Sequence, residues 1–308
     1  MPFFSSSLDC TVLHYVDYRP ASRPPRFRPT SDPNKDYSNN DVLLVFVHGW
    51  PMSHQMYEHL TLTLCETHGV RCIASDRRGF GQSQWNDVPH MDVTYDTFAQ
   101  DTIDLLRHVQ IGKFYFVAAS MGCGETLLAY LKMDEDLKKQ CLGLIWLGPS
   151  LPFPLKTESN PTAPSRELWD SILDGFRQDP VGFTRAAVPG VFGIPFIAGI
   201  ELPETVLQKF EGMVAQADAL ALERCIQMVT SYDFTENLKN IGQSNVRLLV
   251  LHGDSDQSMP AEASANLIPQ YAKQAKIKMY EKAAHGLYLT HAAEVLEDIL
   301  GFVFGNDL

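Results

Sequence analysis

The stretch FYFVAASMGCGETLLAYL, residues 114–131, gives the clearest indication of the fold of this chain. Its first part, Phe114–Ala118, is a run of aromatic and β-branched residues, which predicts a buried strand. Its last part has the apolar pattern of a helix. Ser120 therefore stands between a buried strand and a helix, with the small residues Ala118 and Gly122 two positions away on either side.

This arrangement is what a nucleophile elbow requires. The turn from strand to helix is tight, so large side chains at the two flanking positions would collide with the neighbouring strand and helix. The serine is held in a strained backbone conformation with its hydroxyl exposed above the sheet. The usual pattern is G-x-S-x-G, and Ala118 replaces its first glycine. A serine that only caps the helix is the alternative interpretation of the same letters, so the rest of the chain has to decide.

Strands and helices alternate along most of the chain. Apolar runs typical of strands occur at residues 42–49, 71–76, 142–148, 246–254 and 276–286, and helical patterns at 54–68, 95–109 and 292–304. One or two antiparallel edge strands are expected within residues 1–16, followed by a long polar loop over 19–40. The pattern predicts the α/β class with a doubly wound, mostly parallel sheet.

Residues 149–242 interrupt this alternation. They begin with a proline-rich segment and continue with helical patterns around 165–178, 181–188, 204–214 and 216–230. We expect a helical cap inserted over the carboxyl ends of the strands, where open α/β sheets bind ligands. The core is then formed by residues 1–148 and 243–308. A plain helical core explains most of the cap's aromatic residues, but Trp169, Phe192 and Phe196 are predicted to line an apolar substrate pocket.

The chain also carries the partners that a nucleophilic serine needs. A serine hydroxyl is a poor nucleophile unless a base takes its proton and a third group orients that base. Asp254 and Asp256 follow one predicted strand, and His285 follows the next, so the chain order is serine, acid, histidine. Each lies just past the carboxyl end of its strand, and all should converge on one edge of the sheet. We predict Asp256 as the acid, because Asp254 lies tight against the strand end and could simply cap the turn.

Two backbone N–H groups are candidates for holding the charge that develops on a carbonyl oxygen. The N–H of Met121 belongs to the elbow, at the start of its helix. The N–H of Trp50 belongs to HGWP, in the loop after the strand at 42–49. The tryptophan ring itself is expected to pack in the core, which leaves the backbone free for this role.

Composition limits the remaining possibilities. The chain has 308 residues and a net charge of −12, which argues against nucleic acid and anionic membrane surfaces as partners. No apolar run reaches membrane-spanning length. Six scattered cysteines without a CxxC pair, and the lack of a secretory signal pattern, predict free thiols and a cytoplasmic location. Metal-binding and dinucleotide motifs do not stand out, so neither a metal nor a bound cofactor is predicted.

Taken together, the motifs show a family resemblance. The matching strings are HGWPMSHQMYEHL (48–60), SDRRGFGQS (75–83), SMGCGE (120–125), SYDFTENLKNI (231–241), HGDSDQSMP (252–260) and AAHGLYLTH (283–291). On these strings the chain resembles the α/β-hydrolases, and within them the cofactor-free non-haem haloperoxidases, a perhydrolase and esterase group. The resemblance implies a triad of Ser120, Asp256 and His285, oxyanion donors at Trp50 and Met121, and hydrolysis or acyl transfer as the primary activity. Haloperoxidation would be a side reaction in which peroxide attacks the acyl-enzyme. Ala118 and Cys123 depart from the glycines usual in this group.

These observations predict a serine hydrolase that cleaves a carboxylic ester or lactone of a medium-sized apolar small molecule through an acyl-enzyme on Ser120. A tailoring acyltransferase, lyase or cyclase could use the same triad. A ligand receptor that keeps a hydrolase pocket is the alternative from another class of protein. The small-molecule substrate is the one partner expected.

Overall fold

A computed structural model describes residues 2–20, 42–85 and 92–305 of the chain. Most of the predicted polar loop over 19–40 therefore lies outside the described residues.

The strands in the described part of the chain form a single eight-stranded sheet. They are β1 (Phe3–Ser5), β2 (Val12–Tyr18), β3 (Leu43–Val47), β4 (Cys72–Ser75), β5 (Phe114–Ala119), β6 (Cys141–Leu147), β7 (Arg247–Gly253) and β8 (Ala275–Tyr280). Their order in the sheet is β1-β2-β4-β3-β5-β6-β7-β8. β3 to β8 are mutually parallel, whereas β1 and β2 pair antiparallel at one edge. The predicted doubly wound, mostly parallel sheet with an antiparallel edge is confirmed.

Helices connect these strands. They are α1 (Glu58–Glu66), α2 (Tyr95–His108), α3 (Met121–Lys132), α4 (Glu135–Gln140), α5 (Arg166–Gln178), α6 (Pro180–Val191), α7 (Glu204–Ala215), α8 (Ala219–Val229), α9 (Thr235–Ile241), α10 (Ile268–Tyr271), α11 (Leu287–Thr290) and α12 (Ala292–Phe304). Local signals set several of their starts: the Ser165 and Asp218 side chains accept N–H bonds at the first turns of α5 and α8. Among the described helices, none has the length and apolar character needed to cross a membrane.

The central strands are buried on both faces because helices cover both sides of the sheet. Every residue of β3 and β5 is buried, which explains their continuous apolar sequences. β8 lies at the edge of the sheet, where several of its side chains are exposed to solvent, and it ends at Tyr280. The last part of the predicted strand at 276–286 is instead the turn that carries His285.

A buried cation anchors the amino-terminal hairpin to the sheet. The guanidinium of Arg78, in the turn after β4, contacts Asp9 and Asp101 at 2.5 Å each. It also donates to Ser6 Oγ and Thr11 Oγ1. A buried charge is tolerated when it is paired and hydrogen-bonded in this way. The network ties the connection between β1 and β2 to the turn after β4 and to α2.

The helices α5 to α9 lie between β6 and β7, two strands that are neighbours in the sheet. α5 packs against α6 and α8, and α6 packs against α7, so these four helices form one layer. α9 packs against α3 instead, and so joins the layer that covers the sheet. We keep residues 149–242 as the proposed bounds of the cap.

Candidate active site

Ser120 has the backbone conformation of an elbow. Its φ is +52° and its ψ is −120°, a region that residues other than glycine rarely adopt. It lies directly between the end of β5 and the start of α3. A Cβ at Gly122 would lie 2.6 Å from the carbonyl oxygen of Val47, so this position accepts only glycine. Ala118 is fully buried within β5, where the sheet has room for its methyl group.

The structure distinguishes the two candidate acids. Asp256 Oδ2 lies 2.7 Å from His285 Nδ1, and its Oδ1 accepts the Met259 N–H at 2.8 Å. The carboxylate has no exposed surface. Asp254 is exposed, and its Oδ1 accepts the Ser255 hydroxyl. The turn after β7 thus directs Asp256 towards the imidazole and Asp254 towards solvent.

The segment after β6 lies against both His285 and Ser120. Gly148 has a φ of +52°, and a Cβ there would lie 3.2 Å from His285 Nδ1. The absence of a side chain at Gly148 therefore leaves room for the imidazole of His285. Two residues on, Ser150 Oγ lies 3.0 Å from Ser120 Oγ. Ser150 was not among the predicted site residues, although it follows the end of a parallel strand as Asp256 and His285 do.

The environment of His285 suits a general base. Burial disfavours the charged imidazolium, but the charge of Asp256 and its hydrogen bond outweigh this, so the pKa of His285 lies above its ordinary value of 6.5. The hydrogen bond assigns the proton of the neutral ring to Nδ1, because an ionised carboxylate only accepts. Nε2 is then the atom left to accept a proton.

This shift predicts the pH dependence of ester hydrolysis. A general base must be neutral, so kcat/KM should fall as the pH drops through the pKa of His285 in the free enzyme. We expect the midpoint of that acid limb above 6.5, because the pKa is raised. The measurement is kcat/KM for a p-nitrophenyl ester against pH at constant ionic strength. A midpoint at or below the ordinary value would contradict this assignment of the base.

Ser120, Ser150 and His285 share one cavity of about 320 Å³ with the cap helices. Most of its lining is apolar and comes from both the core and the cap: Trp50, Met52, Met56, Leu168, Trp169, Ile172, Phe176, Phe183, Ala187, Val188, Val191, Phe196, Val214, Met259 and Tyr288. Two of the three predicted pocket residues, Trp169 and Phe196, are among them. Trp169 is held by its Nε1–H, which donates to the Pro154 carbonyl at 2.7 Å, and Phe196 lies at the rim with 39% of its surface exposed.

The prediction that Phe192 lines this pocket is wrong. Phe192 has no exposed surface, and its ring packs against Phe210 and Tyr288 with centroids 4.8 and 6.2 Å away. A Cβ at Gly286 would lie 2.2 Å from the same ring. The turns after α6 point Phe192 into the core and Phe196 towards the cavity, which periodicity cannot show in an irregular segment.

The residues that carry the predicted oxyanion donors lie on either side of Ser120. Met121 is the first residue of α3. Trp50 follows β3, and Gly49 before it lies so close that a Cβ there would be 3.2 Å from the Ser120 Cβ. The Trp50 ring packs against Phe176, and its Nε1–H donates to the Leu222 carbonyl at 3.1 Å. The ring therefore anchors the cap, while the peptide of Trp50 stays beside Ser120.

His48 and His252, at the ends of β3 and β7, form hydrogen bonds with backbone groups. His48 Nδ1 lies 2.8 Å from the Gly49 carbonyl, and its Nε2 accepts the Arg77 N–H at 2.9 Å. Burial lowers the pKa of His48 to about 3, so the ring is neutral. His252 Nε2 donates to the Met259 carbonyl and so holds the turn that carries Asp256.

A further cluster was not visible as a sequence motif. Among the described residues, donor atoms of His14, His54 and Asp76 lie within 4.8 Å of one another, close enough to hold a cation. Each oxygen of Asp76 already accepts two hydrogen bonds, from His14 and the Gln82 N–H on one side and from the ring and N–H of His54 on the other. Burial would raise the pKa of Asp76, but the two histidine hydrogen bonds outweigh it and lower that pKa well below its usual range. The cluster therefore acts as a brace between β2, β4 and the turn before α1.

Comparison with known proteins places the chain in a family. A family model described as the alpha/beta hydrolase fold matches residues 42–292. A non-heme chloroperoxidase of Streptomyces lividans is 30% identical over 87% of this chain and 94% of its own length. A bifunctional esterase/perhydrolase of Acinetobacter calcoaceticus is 28% identical over the same shares of the two chains. The crystal structure of a bromoperoxidase from Bacillus anthracis is 25% identical, covers 98% of this chain and 99% of its own, and has a TM-score of 0.81.

The chain belongs to the α/β-hydrolase family. Within it, the chain is a member of the group that contains the non-heme haloperoxidases, as the motif resemblance implied.

Proposed function

We propose that this protein is a serine hydrolase that cleaves carboxylic esters or lactones through an acyl-enzyme on Ser120. The ester hydrolase class agrees with the family and with the esterase among its relatives. The observation that carries the finer proposal is Ser120 in a positive-φ elbow, in one cavity with an imidazole bound to a buried carboxylate.

The reaction follows from this geometry. Ser120 Oγ attacks the carbonyl carbon while its proton passes to His285 Nε2. The Trp50 and Met121 N–H groups stabilise the oxyanion, and Asp256 stabilises the imidazolium that forms. His285 then protonates the leaving alcohol, and water releases the acid by the same steps in reverse order.

The cavity favours a neutral, apolar acyl group. Among the described lining residues, His285 is the one titratable side chain besides Tyr288, and none is Lys, Arg, Asp or Glu. A carboxylate on the substrate would find no cation to replace its water. We infer that substrates of medium size without a charge on the acyl side are preferred.

Perhydrolysis belongs to the proposal as a side activity. Its support is the similarity to a bifunctional esterase/perhydrolase and to non-heme chloroperoxidases. Peroxide would replace water in the attack on the acyl-enzyme, giving a peracid that can oxidise halide. The triad and the apolar cavity do not distinguish water from peroxide or from another alcohol, so acyl transfer remains the runner-up reaction.

The test is covalent labelling together with a substrate panel. A fluorophosphonate probe should label Ser120, as located by peptide mass spectrometry, and p-nitrophenyl esters and lactones of graded chain length should be hydrolysed. A receptor with an inactive pocket would be labelled slowly and would turn over none of them. Succinyl and acetyl esters of one alcohol provide the charged and neutral acyl pair, and preference for the succinyl ester would contradict the neutral-substrate proposal.

Phe196 and Phe192 form a matched pair for testing the pocket. Phe196→Ala opens the rim of the cavity and should shift the preference towards longer or bulkier acyl groups, since each methylene accommodated is worth roughly 1–3 kcal/mol in kcat/KM. Phe192→Ala removes a buried ring and should cost about 3–5 kcal/mol of folding stability. Chain-length profiles measured beside melting temperatures separate the two effects. An unchanged preference for acyl chain length in Phe196→Ala would show that Phe196 does not contribute to the selection of the acyl group.

A further inference from the structure

A second hydroxyl lies beside the nucleophile. Ser150 Oγ is 3.0 Å from Ser120 Oγ, and both residues line the same cavity as His285. Ser150 is buried, with 8% of its surface exposed, so its hydroxyl faces the cavity and not bulk solvent. Its position is therefore next to the atom at which the proposed reaction takes place.

The backbone around Ser150 is fixed to the catalytic elements. The Ser150 N–H donates to the Ser120 carbonyl at 3.4 Å, and the Gly148 N–H donates to the Leu251 carbonyl at 2.9 Å. The carbonyl of Pro149 accepts the hydroxyl of the fully buried Ser264 at 2.5 Å. These contacts fix the backbone that carries the Ser150 side chain without help from substrate, as preorganised catalysis requires.

In the second half of an ester hydrolysis, water must enter the site at this place. The water that attacks the acyl-enzyme must approach the carbon bound to Ser120 Oγ and must reach His285 Nε2. A group on the cavity side that lies within hydrogen-bond distance of Ser120 Oγ is also close enough to that water to form a hydrogen bond with it. A serine hydroxyl can donate one hydrogen bond and accept others at the same time.

We propose that Ser150 is a further catalytic residue, which holds the water that cleaves the acyl-enzyme and donates a hydrogen bond to the departing Ser120 oxygen. The proposal rests on the proposed function. Water gives one proton to His285 Nε2 as its oxygen bonds to the acyl carbon, and its other O–H donates to Ser150 Oγ. The bond between the carbon and Ser120 Oγ then breaks, and the proton on His285 passes to Ser120 Oγ. Ser150 keeps its own proton throughout.

The proposal predicts an unequal effect on the two half-reactions. A hydrogen bond donated to the free Ser120 oxygen does not help that oxygen attack, so acylation should not depend on Ser150. Deacylation should slow by roughly 10- to 100-fold when the hydroxyl is removed, in the range of one lost polar contact to reacting atoms. When deacylation limits turnover, kcat and KM fall together and kcat/KM stays the same.

The experiment compares Ser150→Ala with the wild type on p-nitrophenyl butyrate. Stopped-flow absorbance gives the burst and the steady state, intact-mass spectrometry gives the acylated fraction and its decay, and fluorophosphonate labelling reports acylation alone. We expect a burst close to one equivalent, accumulated acyl-enzyme, lower kcat and KM, and a labelling rate within about threefold of the wild type.

The control is Ser231→Ala, which removes an exposed hydroxyl after α8. Ser150→Thr keeps a hydroxyl and should restore deacylation, and Ser150→Val, which resembles threonine in shape but has no hydroxyl, replaces Ser150→Ala if that variant melts early.

Two results would overturn the proposal. Equal losses in kcat/KM and labelling rate would mean that Ser150 orients the Ser120 hydroxyl for acylation instead. Wild-type lifetimes of the acyl-enzyme in Ser150→Ala would mean that its hydroxyl takes no part. Failure of the proposed function looks different, because the wild type itself would then neither label at Ser120 nor release p-nitrophenol.

Discussion

Replacing Ser120 by alanine is expected to lower kcat/KM for p-nitrophenyl esters by roughly 10³-fold or more, down to the level left by binding and oxyanion stabilisation. The physical reason is that no other described hydroxyl has both the elbow conformation and a place beside His285. Fluorophosphonate labelling of this position should vanish. Initial rates at substrate concentrations far below KM provide the measurement.

The melting temperature is the control for this variant. Alanine keeps the Cβ, so the strain at φ +52° and the packing against Gly49 stay as they are. We therefore expect a melting temperature close to that of the wild type. Retention of more than a few per cent of activity in a folded Ser120→Ala protein would remove Ser120 from the role of nucleophile.

Replacing Asp256 by asparagine is expected to have the second largest effect, a loss of about 10²- to 10⁴-fold in kcat/KM. The carboxylate stabilises the imidazolium formed during turnover and keeps the proton of the neutral ring on Nδ1. The amide does neither, and its NH₂ group can turn towards Nδ1 and favour the wrong tautomer. The acid limb of the pH profile should also shift to lower pH, because Asp256 is what raises the pKa of His285.

Asp254→Asn is the matched control, two residues away in the same turn. Its side chain is exposed and contacts Ser255 instead of the imidazole, so kcat/KM should stay within about twofold of the wild type. A larger loss in Asp254→Asn than in Asp256→Asn, with both proteins folded, would exchange the roles of the two acids.

The class of fold could be predicted from local sequence patterns. Continuous apolar strands such as β3 and β5 can be stable only when helices cover both faces. Their local composition is therefore enough to predict a sheet that is covered on both sides. The elbow could also be predicted from the sequence, since the small residues around Ser120 are those that a tight turn beside a neighbouring strand requires. Chain order and strand ends were enough to predict that Ser120, Asp256 and His285 would meet at one edge of the sheet.

Which side chains face each other depends on the tertiary structure. It directed Phe192 into the core and Phe196 to the cavity, and placed Ser150 beside Ser120. It also assembled His14, His54 and Asp76 from three segments that share no motif. The reason is that these arrangements depend on contacts between residues far apart in the sequence, 30 positions for Ser120 and Ser150 and 22 for His54 and Asp76, or on the direction of side chains in irregular turns. Periodicity and composition describe neighbours along the chain, whereas the cavity and its polar atoms are formed by neighbours in space.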